Sequence, residues 1–221
     1  MQAATITDAP DIDRLAASFV ELFPQLDAQS GRVAMWLYRL LAEGAPVAPH
    51  SLAQAAQTPL ARVNELLAAW PGLYCEDGAV IGFWGLTVRP FSEHLFKVDG
   101  RTLDTWCAWD TLFIPLILGK TALVESPCPI SGEIIRLTVS PSQVERLEPS
   151  TALMSMLEPP EDIAEDIVAK FCHYVYFFSS AQAGAQWCGE HEGATLMSIE
   201  DAFALGRKKN LMRFGELLAA D

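Results

Sequence analysis

The order of apolar patterns along the chain predicts an α+β protein, with a helical, winged-helix-like N-terminal part followed by a sheet core with flanking helices. Three observations carry this. Apolar residues recur at helical spacing as far as Trp70, a hairpin pattern follows, and from Gly85 the texture changes to short β-prone runs broken by Pro and Gly. The change divides the chain into a helical domain over 1–85 and a second domain over 86–221.

Residues 1–10 read as a frayed leader. Ile12 to Leu22 and Val33 to Leu41 have helical periodicity, the second stopped by Gly44 with Pro46 behind it. Ser51 and Gln54 form a capping-box pattern that predicts a short helix over Leu52 to Gln57. Thr58-Pro59 opens another, with Thr58 as N-cap, Pro59 at the first position, and Val63, Leu66 and Leu67 on the buried face. Leu73-Tyr74-Cys75, a Glu76-Asp77-Gly78 turn and Val80 to Trp84 make the hairpin. Three helices and a hairpin are the outline of a winged helix-turn-helix. The helix that would enter DNA, Pro59 to Trp70, carries Arg62 as its only basic residue, with Glu65 against it, so a structural or lid element is the better reading.

In the second half, Leu86 to Val88 and Leu95 to Val98 are expected strands, with Asp99-Gly100 as a turn. Leu103 to Ile114 is the expected central helix, with Asp104 favourable near its N-terminus. Thr121 to Glu125 and Glu133 to Val139 are strands around a loop holding Cys128. Ser140 to Gln143 is a second capping-box pattern, predicting one helical turn. Phe171 to Phe178 reads as a strand with Cys172, Tyr174, Tyr176 and Phe178 on one face. Ala181 to Glu190 and Ser198 to Ala219 close the chain as helices.

Composition narrows the function. A chain of 221 residues with 51% hydrophobic and 19% charged residues has the makings of a folded core. Its net charge of −13, from 15 basic and 28 acidic residues, disfavours a nucleic-acid partner. The one basic run is Arg207-Lys208-Lys209. No apolar run reaches the ~18 residues of a membrane span, and no secretory signal is legible, so a soluble cytoplasmic protein is expected. Five cysteines, widely spaced and without a C-x-x-C pair, argue for free thiols.

The chemistry gathers at Trp106-Cys107-Ala108-Trp109-Asp110. On a helix Cys107 and Asp110 would share a face, about one turn apart. Cys107 alone is most simply a small buried hydrophobe. Asp110 is harder to dismiss, because an apolar face has no packing use for an acid; it is either a buried hydrogen-bonding partner or a proton carrier of raised pKa. Cys172 is inert by default, and His173, its neighbour in a strand, would point to the opposite face, which weakens a Cys–His dyad. Cys128, between two prolines, reads as structural, and Cys75 and Cys188 as incidental.

The segment Leu103 to Pro115 resembles the active-site helix of the organomercurial (alkylmercury) lyases. Further blocks match in the same order: Gly119-Lys120-Thr121-Ala122, Leu137-Thr138-Val139-Ser140-Pro141-Ser142, and Phe171-Cys172-His173-Tyr174-Val175-Tyr176-Phe177-Phe178. The resemblance implies the winged-helix-like N-terminal part, an antiparallel or mixed sheet core with flanking helices, and a catalytic role for 86–221. It implies Cys107 and Cys172 as mercury-binding cysteines, Asp110 as the proton-handling acid, Trp106 as an aromatic lining the site and Cys128 as structural. Family members often carry a second cysteine where this chain has His173. The implied reaction is protonolysis of R–Hg⁺ to R–H and Hg²⁺, as organomercury detoxification. No cofactor is implied, mercury being substrate and product, with low-molecular-weight thiols or a mercuric reductase removing the metal ion. Soft Hg²⁺ prefers thiolates, and a thiol of pKa ~8.5 needs a base to take its proton, which accords with the trio. A binding-only metal-ion carrier and a metal-responsive winged-helix regulator are the alternatives on the same scaffold.

Overall fold

The computed structural model describes residues 10–219; the expected leader lies outside them except for Pro10. Helix α1 (Ile12–Glu21) starts where Asp11 accepts a hydrogen bond from the Arg14 N–H, and α2 (Ala28–Leu41) where Asp27 accepts one from Ser30 at 2.7 Å. The buried face of α2 runs through Val33, Ala34, Leu37, Tyr38 and Leu41. Helix α3 (Pro49–Ala55) begins two residues before Ser51, the expected cap. Pro49 supplies a helical φ at the first position and holds Ala48 extended, so the boundary falls there. Helix α4 (Leu60–Ala69) starts one residue later than expected, because the Thr58 hydroxyl donates to the Ala56 carbonyl instead of capping. On α4 Arg62 pairs with Glu65 at 3.1 Å.

The hairpin forms as expected from β1 (Leu73–Glu76) and β2 (Ala79–Phe83), and leads through β3 (Leu86–Thr87) to β4 (Leu95–Val98) and β5 (Arg101–Thr105). The segment expected to begin the central helix at Leu103 is therefore strand as far as Thr105. Asp99 and Gly100 both have positive φ, making a two-residue turn whose second arm is β5, paired residue for residue with β4. Asp104 caps no helix; its carboxylate accepts from the Phe91 N–H at 2.7 Å. Helix α5 (Asp110–Leu118) follows, eight of its nine residues buried, so it is the central helix with shifted bounds.

Beyond α5 come β6 (Ala122–Pro127), β7 (Ile134–Val139), β8 (Val144–Glu148) and β9 (Leu153–Met156), then α6 (Ile167–Lys170). Ser140 to Gln143 is the β7–β8 turn and not a helical one. The Ser140 N–H donates to the Gln143 carbonyl, and the Gln143 N–H to the Ser140 hydroxyl; a capping box and a tight turn share that side-chain bond. The β-prone run from Phe171 is a 3₁₀ turn over Cys172–Tyr174, with strand β10 confined to Phe177–Phe178. The Ser155 hydroxyl donates to the Tyr174 carbonyl and accepts from the Tyr176 N–H, which fixes the non-extended course. Helix α7 (Ala181–Glu190), β11 (Thr195–Ser198) and α8 (Ile199–Phe214), capped by Ser198, end the described chain with a 3₁₀ segment over Gly215–Ala219.

The larger sheet has eight strands in the order β1-β2-β3-β5-β4-β6-β7-β8, and the smaller has the order β10-β9-β11. All described pairings between strands are antiparallel. No helix is long and apolar enough to cross a membrane among the described residues.

Helix α5 packs between α2, α8 and strands β6 and β7. Gly206 lets α8 approach, since a Cβ there would lie 2.7 Å from Phe113 Cβ. Two hydrogen bonds lock the pair: Trp109 Nε1 donates to the Ala202 carbonyl and Asn210 Nδ2 to the Phe113 carbonyl, each at 2.9 Å. Asn210 is fully buried, so Asn210→Ala removes packing and a bond together, and a loss of about 2 kcal/mol is expected in urea unfolding. An unchanged midpoint would show that this bond does not hold α8 in place.

Candidate functional site

Trp106 to Trp109 is the tight connection between β5 and α5, held at both sides by backbone bonds. The Trp106 N–H donates to the Gly85 carbonyl at 3.0 Å, and the Ala108 N–H to the Val175 carbonyl at 3.2 Å. The second bond ties the connection to the 3₁₀ turn that carries Cys172. Asp110, the first residue of α5, folds back so that its Oδ2 accepts from the Cys107 N–H at 2.8 Å. Cys107 thus lies outside the helix, and a cap-like hydrogen bond brings it to Asp110 instead of a shared helical face.

Cys107, Asp110 and Cys172 come together: the two sulfurs and a carboxylate oxygen all lie within 4.8 Å of one another, and all three residues are buried. Cys128 lies apart from this group, buried in the β6–β7 loop, where its N–H donates to the Glu133 carbonyl. Burial pushes the Cys128 thiol up, but hydrogen bonds from Ser131, Ser179 and Ile130 outweigh it and leave its pKa below the usual value. Cys75 is exposed, Cys188 is half-buried, and all five cysteines are free. His173 is exposed beside the buried Cys172, so no dyad forms.

The electrostatics follow from burial. Desolvation pushes the Asp110 carboxyl up to about 7, against the opposing pull of the Cys107 thiol and N–H, Lys209 and the Trp106 N–H. Desolvation, the Cys172 thiol and the Asp110 charge all raise Cys107 well above its ordinary value. For Cys172 the hydrogen bond with Cys107 pulls down, yet burial and the nearby acids Asp110 and Asp166 carry it above the usual range. Both thiols are therefore held protonated at neutral pH, and each must lose its proton to a base or to an exchanging thiolate before it binds a metal ion.

A cavity of ≈ 70 Å³ opens beside the trio, with Phe19, Tyr38, Trp84, Trp106, Trp109 and Phe113 among its walls. That is room for a few waters or a small apolar ligand. Asp110 and Cys172 line it, whereas Cys107, with no exposed surface, sits behind them. Lys209 and Arg213 complete the lining from α8.

The turn beneath Asp110 is strained. Trp84 and Gly85 join β2 to β3 with φ of 37° and 100°, and a bulky aromatic residue at positive φ is an outlier. It is held there by Tyr38, whose hydroxyl donates to the Trp84 carbonyl at 2.7 Å, by the Trp84 Nε1 bond to the Pro71 carbonyl, and by stacking on Phe83. A Cβ on Gly85 would lie 2.4 Å from Asp110 Oδ1, so only glycine leaves space for the carboxyl. Tyr38, Lys209 and Arg213 carry no sequence motif for this site. The i, i+4 spacing of Lys209 and Arg213 was the available signal, since the two must share a helix face.

Two thiols and a carboxyl of near-neutral pKa in a largely apolar pocket can bind a soft cation through sulfur while holding and returning one proton.

The profile of the alkylmercury lyase family matches residues 86–210, and that of the helix-turn-helix domain of alkylmercury lyase matches residues 22–84. The chain is 44% identical to an alkylmercury lyase of Streptomyces lividans over 197 residues, 88% of this chain and 90% of that protein. It is 39% identical to one from Staphylococcus epidermidis over 202 residues, 89% and 90% of the two chains. Its fold is similar to the crystal structure of the mercury-bound form of MerB2, with TM-score 0.71 and 21% identity over 90% of this chain and 96% of that one.

Gly85→Ala should lower the unfolding free energy by more than about 1 kcal/mol, because it adds φ strain and a clash with Asp110. Asp110→Ala in the same chain should recover part of that loss. Strictly additive losses in the double-mutant cycle would show that Gly85 does not make room for the carboxyl.

Proposed function

The chain belongs to the alkylmercury lyase family of enzymes, and we propose that it cleaves the carbon–mercury bond by protonolysis, with Cys107 and Cys172 binding mercury and Asp110 carrying the proton. The observation that carries this reading is the buried trio, its three ligand atoms within 4.8 Å of one another.

The order of events follows from placement. An organomercurial enters as a thiol adduct, R–Hg–SR′, and meets Cys172, which lines the cavity. The Cys172 sulfur bonds to mercury as the Hg–SR′ bond breaks, and its proton leaves on R′S⁻ as R′SH. Cys107, behind it, then adds as the second sulfur ligand and gives its proton to the Asp110 carboxylate, the neighbour that its own N–H already contacts. Two thiolates push electron density onto the carbon bound to mercury. Neutral Asp110, favoured by its apolar surroundings, returns the proton to that carbon, the C–Hg bond breaks, and R–H leaves. The balance is R–Hg–SR′ plus two Cys–SH giving R–H, R′SH and Hg²⁺ held by two cysteine thiolates. No electrons are exchanged, so the reaction needs no redox cofactor. External thiols, or a mercuric reductase accepting the ion, would clear the product by thiolate exchange, and the physiological role would be organomercury detoxification. The aromatic Trp106 lines the substrate pocket, and Cys128, hydrogen-bonded within its loop, is structural.

The test is headspace detection of benzene from phenylmercury in excess thiol. Cys107→Ser and Cys172→Ser should each abolish release; full activity in either would end the paired-thiolate scheme. Asp110→Ala should bind the mercurial yet release hydrocarbon about 10²- to 10⁴-fold more slowly. A mercury carrier on this scaffold would bind without releasing hydrocarbon from the wild type.

The raised Asp110 pKa gives the sign of the pH dependence. Below about 7 the free enzyme holds Asp110 protonated, unable to accept the Cys107 proton. Hence kcat/KM should climb about tenfold per pH unit beneath that point and level above it. A profile already flat from about pH 5.5 upward would remove Asp110 as the acceptor.

A further inference from the structure

Two cations of α8 face the cavity without an anionic partner at bonding distance. Neighbouring Lys208 reaches outward to Asp13 at 3.0 Å, but Lys209 turns inward, its Nζ 3.1 Å from the Phe113 ring centroid and 4.9 Å from that of Trp109. Arg213, one turn on, places its guanidinium carbon 4.2 Å from the Trp84 ring centroid and 5.5 Å from that of Phe23. Among the described residues neither makes an ion pair within 4 Å or a hydrogen bond to a protein acceptor, and Arg213 Nη2 is a buried donor without a partner. Trp106 Nε1, on another wall of the cavity, is likewise unpartnered. Burial pulls the Lys209 ammonium down to about 7 against the charge of Asp110, and the Arg213 guanidinium to about 10, so in a chain of net charge −13 this apolar cavity holds both charges at a cost that an arriving anion would relieve.

Tyr38, Asp110 and the Cys107 thiol are the acidic groups that face this pair, and burial keeps the thiol protonated. Burial holds the Tyr38 hydroxyl neutral, and it is already donating to Trp84. Asp110 is engaged with the Cys107 N–H and becomes neutral during the proposed cycle. That leaves the guanidinium fork free for a planar anion, which arginine binds with two parallel N–H···O bonds.

We propose that Lys209 and Arg213 form a carboxylate subsite for the thiol ligand of the incoming mercurial, so that the preferred substrate is an R–Hg–SR′ adduct whose R′ carries a carboxylate. The inference rests on the lyase reading of the adjoining trio. With its carboxylate on Arg213 and Lys209, the adduct is anchored in the cavity that Cys172 lines. Exchange then proceeds as above: Hg–SR′ breaks, Hg–S of Cys172 forms, and the Cys172 proton departs on R′SH.

The experiment compares methylmercury presented as its adduct with 3-mercaptopropionate and as its adduct with the neutral 3-mercaptopropanamide. Methane release gives kcat/KM, and tryptophan fluorescence gives binding independently of turnover. The wild type should favour the carboxylate adduct by about tenfold in both readouts. Arg213→Met should bring the ratio close to one, Arg213→Lys should keep part of it, and Lys209→Glu should invert it in favour of the cationic cysteamine adduct. A wild-type ratio near one, or one that survives both Arg213→Met and Lys209→Glu, overturns the subsite. Equal methane from both adducts would leave the lyase reading standing without it. A binding preference without methane would leave the subsite standing and end the lyase reading.

Discussion

A carboxyl group held in an apolar cavity by one backbone N–H is the constraint on which the rest of this structure depends. Asp110 receives the Cys107 N–H at 2.8 Å, and that bond places a thiol beside an acid that burial keeps near neutrality. Neither effect alone would suffice. Without the bond, Cys107 would be one more buried sulfur; without the burial, Asp110 would stay ionised and make a poor proton donor. The position at the first turn of α5 adds a favourable field for the ionised form, so the acid can pass between its two states at modest cost.

Room for that carboxyl is made by the other half of the chain. The β2–β3 turn lies under Asp110 only because Trp84 accepts a strained φ, and Tyr38 of α2 is what holds Trp84 there. The winged-helix-like segment therefore supports the site physically: α1 and α2 provide Phe19 and Tyr38 as cavity wall, and Tyr38 fixes the backbone beneath the acid. Meanwhile Arg62 on α4, the one cation on the helix that would enter DNA, is occupied by Glu65. The helical part and the sheet are joined through one continuous ladder, β2 to β3 to β5, so movement of the hairpin would be felt at Trp106 and Asp110.

Much of this was legible in the sequence, for identifiable reasons. Helices α1, α2 and α7 have plain periodicity or caps, and the β1–β2 hairpin is announced by Asp77-Gly78. The trio was legible through its motif, although the reason for its proximity was not. Cys107 and Asp110 sit three apart on a turn leading into a helix, a spacing that brings residues together there as it does within a helix. Cys172 is delivered by a 3₁₀ turn, which its β-prone neighbours concealed, because the competing hydrogen bonds join Ser155 to residues 19 and 21 positions away. Long-range bonds of that kind leave no local trace. The reason for a glycine at position 85 was equally silent: a glycine after a strand is commonplace, and its need to be glycine comes from Asp110, packed on it from another element.

The cations of α8 extend the same logic. A pocket that carries one negative charge throughout its cycle, while that charge changes place, is served by cations beside it. In the proposed scheme Asp110 is an anion when it accepts the Cys107 proton, neutral while it holds it, and an anion again once the carbon has taken it. While Asp110 is neutral the charge lies on the R–Hg centre with its two thiolates, and it returns to Asp110 when R–H leaves. Lys209 faces the carboxylate in its anionic phases, which is why its charge opposes the desolvation of Asp110. Arg213 has no such internal partner: its one acidic neighbour, Tyr38, stays protonated, and its rings at Trp84 and Phe23 offer only their π-faces. A cation kept in that state is best matched by an anion that arrives with the substrate and departs with the displaced thiol.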